Sequence, residues 1–259
     1  MKYVKPKKKL GQHFLKDDNL AKKIVDSFNA SLNTDNILEI GPGMGALTKH
    51  LLPIPINSVV KLAEIDQDSI SYLITKFPEL NGAIISADFL KMDISTVFKG
   101  PFSILGNFPY NISSQIIFKM LAERNRVKLL VGMFQKEVAA RICAPPKNKT
   151  YGILSVLVQA FYETEYLFTV NPTVFAPPPK VISAVIKLTR NQSSTLPCNE
   201  ELFFKVVKKS FNQRRKILKN ALHPLLNNTV LNESPLLKLR AEQLNVEEFV
   251  ELTNMIDKS

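Results

Sequence analysis

The segment Asn107-Phe108-Pro109-Tyr110-Asn111-Ile112-Ser113 brings together an amide, a proline and an aromatic ring. An aromatic amine such as adenine N6 is a weak nucleophile, because its lone pair is delocalised into the ring. Two fixed acceptors, an asparagine carbonyl and a backbone carbonyl held rigid by proline, can take its two protons. The nitrogen then moves toward a tetrahedral geometry, with its lone pair aimed at an electrophile such as a methyl sulfonium. Acceptors set in advance need little reorganisation during the reaction. Tyr110 offers a face on which a base can stack. The plain alternative is a proline turn ahead of a helix; the position directly after an apolar run favours the chemical reading.

A second cluster is Glu39-Ile40-Gly41-Pro42-Gly43-Met44-Gly45-Ala46. Glycines there let the chain turn sharply and approach a ligand closely. Glu64 follows about twenty residues later, where a carboxylate can accept ribose hydroxyls. The pair asks for a ribonucleoside cofactor, and the loop by itself leaves NAD and S-adenosylmethionine both open. Asp88, in Ser86-Ala87-Asp88-Phe89, follows a third apolar run and can accept from an adenine amino group. Phe175 opens the stretch Phe175-Ala176-Pro177-Pro178-Pro179-Lys180-Val181. Its ring can stack on a base extracted from its helix, or plug a proline-rich turn.

These residues need a frame that gathers them at one edge. Apolar runs at 36–40, 58–65, 83–87, 102–105 and 128–134 read as strands. Helical patterns at 46–52, 68–77, 113–122 and 135–142 alternate with them, which predicts parallel βαβ units. A helix over 18–28 precedes the set, capped by Asp17 or Asp18. Two further strands, near 160–169 and 181–189, are separated by prolines instead of a helix and should be antiparallel. The expected fold is α/β: a Rossmann-like methyltransferase sheet of seven strands, the last antiparallel, with a small all-helical C-terminal domain. Residues 191–197 read as a linker, with 1–191 forming the first domain and 192–259 the second. In the second, helices are expected at 200–210, 214–222, 235–238 and 246–256. Residues 1–16 are basic and expected to form a mobile arm.

The chain has 259 residues and a net charge of +11. The excess clusters at Lys5, Lys7, Lys8 and Lys9, and again at Lys205, Lys208, Lys209, Arg214, Arg215, Lys216 and Lys219. Clustered positive charge points to nucleic acid ahead of anionic membrane. No apolar stretch of membrane-spanning length and no secretory signal is read, so the cytoplasm is expected. Cys143 and Cys198 lie too far apart for a metal-type pair, and His13, His50 and His223 are dispersed; no metal site is expected. No interface helix stands out, which favours a monomer.

Taken together, these motifs resemble the ribosomal RNA adenine dimethyltransferase family, and most of all its housekeeping branch. The likeness runs nearly end to end. It covers Lys9-Leu10-Gly11-Gln12-His13-Phe14-Leu15, the Glu39–Gly43 loop, Glu64-Ile65-Asp66, Asp88 and the Asn107 segment. It continues through Gln135-Lys136-Glu137-Val138, Tyr151-Gly152-Ile153-Leu154, the Phe175 stretch and Phe211-Asn212-Gln213-Arg214-Arg215-Lys216. The resemblance implies S-adenosylmethionine as cofactor, contacted by His13, Leu15, Glu39, Gly41, Gly43, Glu64, Asp88 and Asn107. It implies that Asn107, Pro109, Tyr110 and Phe175 frame an adenine. Lys7, Lys8, Lys9, Lys180, Lys208, Arg214, Arg215 and Lys216 would contact RNA phosphates, which position without reading sequence. The implied partner is the small ribosomal subunit or its precursor, through its ribosomal RNA. Two positions depart from the family pattern: His13 stands where asparagine is common, and Phe108 where leucine is common. Three rivals remain at this point: a large-subunit methyltransferase of the antibiotic-resistance type, an NAD-dependent oxidoreductase, and a non-catalytic RNA-binding assembly factor.

Overall fold

A computed structural model describes residues 4–52, 58–192, 195–226 and 234–258. The chain divides into two compact units, residues 1–139 with 165–190, and residues 140–164 with 191–259. The second unit therefore takes in 140–164 in addition to the C-terminal segment foreseen from sequence.

The first unit starts with β1 (Phe14–Leu15) and α1 (Asp18–Asn29), then β2 (Asn36–Ile40), α2 (Thr48–Leu51), β3 (Val59–Glu64) and α3 (Gln67–Lys76). Next come β4 (Ile84–Ser86), β5 (Phe102–Asn107), α4 (Ser113–Ala122), β6 (Val127–Gln135) and α5 (Lys136–Ile142). After α6 (Ile153–Gln159) the chain forms β7 (Tyr162–Val170), β8 (Phe175–Ala176) and β9 (Ser183–Arg190). Seven strands lie in the order β4-β3-β2-β5-β6-β9-β7. Strands β4, β3, β2, β5 and β6 run parallel, and β9 runs antiparallel to β6. The strand order reverses between β2 and β5, which creates a crevice at their carboxyl ends where ligands bind in open α/β sheets.

The reasons for these elements are local and apolar. In α1, Ala21, Ile24, Val25 and Phe28 recur at helical spacing and are buried, while the Asp17 carboxylate caps the helix by accepting from the Leu20 N–H at 3.0 Å. That face packs into a core with Ile37, Leu105, Leu129, Val131 and Met133 from the sheet. The central strands are apolar on both faces, as expected for a sheet covered on both sides.

Residues 4–16 depart from the free arm expected from sequence. Val4 is buried, a 3-10 turn spans Lys8–Leu10, and β1 pairs antiparallel with β8. The strap is held further by Lys7, whose ammonium pairs with Asp66 and, at 2.6 Å, with Asp68, and by Gln12 Nε2 donating to Asp66 at 3.1 Å.

In the second unit the described C-terminal elements are helical: α7 (Glu200–Asn212), α8 (Leu218–Leu222), 3-10 turns including Pro235–Lys238, and α9 (Val246–Asp257). The helix expected over 214–222 is shorter, because Ile217 bridges to Arg240 and the Leu218 N–H donates to Leu239. Residues 193–194 of the expected linker lie outside the described residues.

Candidate active site

The carboxyl ends of β2, β3 and β5, the loop after β4 and the strap enclose a cavity of about 250 Å³. His13, Leu15, Glu39, Gly41, Gly43, Glu64, Asp88, Asn107, Pro109 and Tyr110 all line it. Lys9, Gly11 and Gln12 contribute from the strap, and Ile65, Phe89 and Leu90 supply apolar wall.

Glu64 is 5% exposed and held by three backbone donors. Its Oε2 accepts from Gly43 N–H at 3.0 Å, and its Oε1 from Ile65 and Asp66 N–H at 2.9 and 2.8 Å. Gly43 adopts φ +56°, and a Cβ there would meet the Phe14 ring at 2.9 Å. Glycine is therefore required both for the turn and for the approach of the strap. Burial raises the Glu64 carboxyl above the ordinary range, opposed by these N–H donors. Asp88 Oδ1 accepts from the Leu90 N–H at 3.0 Å, which fixes its turn.

Glu39 is 1% exposed and accepts from the Thr48 hydroxyl at 2.8 Å. Burial pushes its carboxyl up to about 8; the Thr48 hydroxyl opposes the rise and the nearby Glu64 charge adds to it. In the unfolded chain the group titrates near 4.5. Between those values the folded protein keeps a proton that the unfolded chain has released. Its stability must then fall as pH rises through that window and level off above it. Glu39→Gln, which stays neutral, should flatten this slope. Thermal melting without cofactor from pH 5 to 8 measures it; parallel curves for the two proteins would contradict the assignment.

Asn107 ends β5. Its Nδ2 donates to the His13 carbonyl at 3.1 Å. A carbonyl only accepts, so this bond settles which way the amide faces and leaves Oδ1 as an acceptor. Pro109 restricts Phe108 to an extended backbone. The Pro109 carbonyl accepts from Ile112 N–H at 3.2 Å, whereas the Phe108 carbonyl takes no hydrogen bond among the described residues. The Tyr110 hydroxyl meets the buried Ser183 Oγ at 2.5 Å. Its ring stacks on His13 with centroids 5.5 Å apart and 24° between planes, and His13 Nδ1 lies 2.7 Å from the Pro177 carbonyl oxygen. His13, Ser183 and Thr48 thus support the site through contacts that carry no short-range sequence signal.

Phe108 faces the core as its position suggests, 1% exposed and edge-on to Phe134 at 5.0 Å. Its ring fills the space that Gly106 and Gly132 leave: a Cβ at Gly132 would meet it at 2.1 Å. Gly132→Ala should destabilise by about 1–3 kcal/mol through overpacking. Phe108→Leu should restore part of that loss in the double variant, a coupling read by denaturant titration of all four proteins.

Some expectations are corrected. Phe175 does not line the cavity. It is 1% exposed, pairs with Leu15 across β1 and β8, and packs in the core with Ile24 and Val185. Its ring offers no face to a base in this structure; the ring against Tyr110 is that of His13. Lys7 is committed to Asp66 and Asp68. Arg214 donates to Glu242 at 3.0 Å and to the Lys149 carbonyl at 2.6 Å. Lys8, Lys9 and Lys180 in the first unit, and Lys208, Arg215 and Lys216 in the second, are exposed.

The cavity wall carries Glu64 and Asp88 against Lys9 alone among lysines and arginines, while the buried Glu39 carboxyl keeps its proton near neutral pH. Such a wall attracts a cation and repels a pyrophosphate, which weighs against a nicotinamide dinucleotide. Residues 4–258 match the model of the family described as ribosomal RNA adenine dimethylase. The chain belongs to that family. Similar proteins include the ribosomal RNA small subunit methyltransferase A of Flavobacterium johnsoniae, 55% identical over 99% of this chain and 98% of the relative. That of Porphyromonas gingivalis is 47% identical over the whole of both chains. Among solved structures, a dimethyladenosine transferase from Plasmodium falciparum superposes with a TM-score of 0.78 at 28% identity, covering 95% of this chain and 98% of that one. The 23S rRNA methyltransferase ErmE gives 0.69 at 25%, covering 93% and 99%. The enzyme is thus an α/β methyltransferase of ribosomal RNA that uses S-adenosylmethionine. Among the described residues no cluster of metal-ligating side chains is present, and no helix is long and apolar enough to cross a membrane.

Proposed function

We propose that the enzyme transfers methyl groups to N6 of two adjacent adenosines near the 3′ end of small-subunit ribosomal RNA, giving N6,N6-dimethyladenosine. The observation that carries the reading is the Asn107 amide, turned by the His13 carbonyl so that Oδ1 stays an acceptor in the cavity. Asn107 Oδ1 and the Phe108 carbonyl accept hydrogen bonds from the two N6 protons, and Tyr110 supports the ring. S-adenosylmethionine supplies the electrophilic methyl group. The residues present suit it. Glu64 retains acceptor capacity for ribose beside its three N–H donors, Asp88 lies where the adenine amino group can be read, and the acidic wall favours its cationic end. His13, Leu15, Gly41 and Gly43 complete the wall. Each methyl gained by N6 would leave S-adenosylhomocysteine and send one N6 proton to solvent, the two carbonyl acceptors orienting the amine without taking up the proton. The exposed Lys8, Lys9, Lys180, Lys208, Arg215 and Lys216 bind phosphates.

The identity to relatives named for the small subunit, against 25% to the 23S enzyme, supports the small subunit or its precursor as partner. We place the enzyme in the cytoplasm as a monomer. Separated, unmethylated ribosomal subunits incubated with labelled S-adenosylmethionine test the choice. Label should enter small-subunit RNA; label confined to large-subunit RNA would overturn it.

A further inference from the structure

The loop after β4 forms the wall at Asp88, Phe89 and Leu90, yet it belongs to no long element. Its amides and carbonyls point to different partners. The N–H groups of Lys91 and Met92 donate to the Asp88 carbonyl at 3.0 and 2.9 Å, and that of Leu90 donates to the Asp88 side chain. The carbonyls of Phe89, Leu90 and Met92 all accept from one ammonium, Lys119 Nζ, at 2.6, 3.2 and 2.5 Å. An ammonium has three protons, and here each has a carbonyl acceptor. The ammonium also lies over the Phe89 ring, with Nζ 5.0 Å from its centroid. Lys119 itself is absent from the cofactor cavity wall. It lines a separate groove with Met92, Asp93, Gln115 and Glu123. It also stands on α4, which begins at Ser113, the last residue of the Asn107 segment. One helix therefore carries the target-site segment at its start and the clamp on the adenine loop two turns later.

We propose that Lys119 is a positioning residue for cofactor recognition: its ammonium gathers three carbonyls of the 88–92 loop and so holds Asp88, Phe89 and Leu90 in place for the adenine end of the cofactor. The proposal rests on the methyltransferase reading of the cavity. Burial lowers the Lys119 ammonium below its ordinary range, while the Glu123, Asp88 and Asp93 charges oppose that drop. No other ammonium or guanidinium is recorded on those three carbonyls among the described residues, so nothing replaces the clamp when it is removed. Charge-assisted bonds of this kind are the strong ones, and losing the set leaves polar groups of a half-buried loop to find water.

The test is Lys119→Met, which keeps the stem and removes the donors, beside Lys119→Arg, which keeps a charged donor. In Lys119→Met the KM for S-adenosylmethionine should rise about tenfold, with kcat and the KM for small-subunit RNA within about twofold. Binding of methylthioadenosine, which carries the adenosine end without the amino acid end, should weaken by the same factor in calorimetry. Lys119→Arg should recover part of both. Unchanged cofactor KM and unchanged methylthioadenosine affinity in Lys119→Met would overturn the proposal. So would an equal loss in kcat and in both KM values, the mark of a general packing role. If Lys119→Met fails to fold, the arginine variant decides: a smaller rise in cofactor KM and a weaker methylthioadenosine affinity with kcat kept support the clamp, and wild-type parameters, or a kcat loss without a change in cofactor KM, overturn it. Failure of the wild-type protein to bind methylthioadenosine at all would instead strike the cofactor reading beneath it.

Discussion

Asn107→Ala is expected to lower kcat by about a hundredfold to a thousandfold, the scale for removing one preorganised polar group from a reacting centre. The loss has two parts. Oδ1 no longer accepts from N6, so the amine keeps its delocalised lone pair. The Nδ2 bond to the His13 carbonyl also disappears, and with it the tie that draws the strap over the cavity. Asn107→Asp separates these parts. It keeps acceptors for N6 but sets a carboxylate oxygen against the His13 carbonyl, where the native amide donates at 3.1 Å. Two acceptors facing each other repel, so the strap is displaced. Aspartate should therefore be nearly as damaging as alanine in single-turnover methylation of small-subunit RNA. Wild-type rates for Asn107→Asp would show that the amide orientation does not matter.

Glu64→Gln should weaken cofactor binding by about a hundredfold. The native carboxylate accepts three backbone N–H bonds at 2.8–3.0 Å while facing the cavity. A glutamine has one acceptor oxygen. Its NH2 must confront either Gly43 N–H or the pair from Ile65 and Asp66, which leaves a buried donor unpaired at a cost of about 1–3 kcal/mol. The glycine turn then loses its anchor, and the remaining acceptor for ribose is compromised as well; together these give about the stated factor. Calorimetry with S-adenosylhomocysteine measures it, and an affinity within twofold of wild type would contradict the account.

The parallel sheet was readable because each buried strand is a short apolar run set between helical patterns, as in Asn36–Ile40 and Phe102–Asn107. The glycine turn, Glu64, Asp88 and the Asn107 segment were readable because chain order alone carries them to one edge of such a sheet. Other features depend on contacts between distant residues. The run Ile153–Gln159 gave no helical reading, since Leu154 to Val158 are all buried and periodicity does not separate a buried helix from a strand. The two-residue strands β1 and β8 exist only through their pairing. Phe175 was ambiguous between a stacking ring and a plug, and the pairing with Leu15 made it core. The arm read as mobile because its charges have no local partners; Asp66, the partner of Lys7, lies 59 residues away.

The most direct measurement is nucleoside analysis of small-subunit RNA after reaction with the wild-type enzyme and with Asn107→Ala, each fragment mapped to its place in the sequence. N6,N6-dimethyladenosine at two adjacent positions near the 3′ end, present with the wild type and missing with the variant, is the expected result. Methylation at another atom or another site, or full dimethylation by Asn107→Ala, would contradict it.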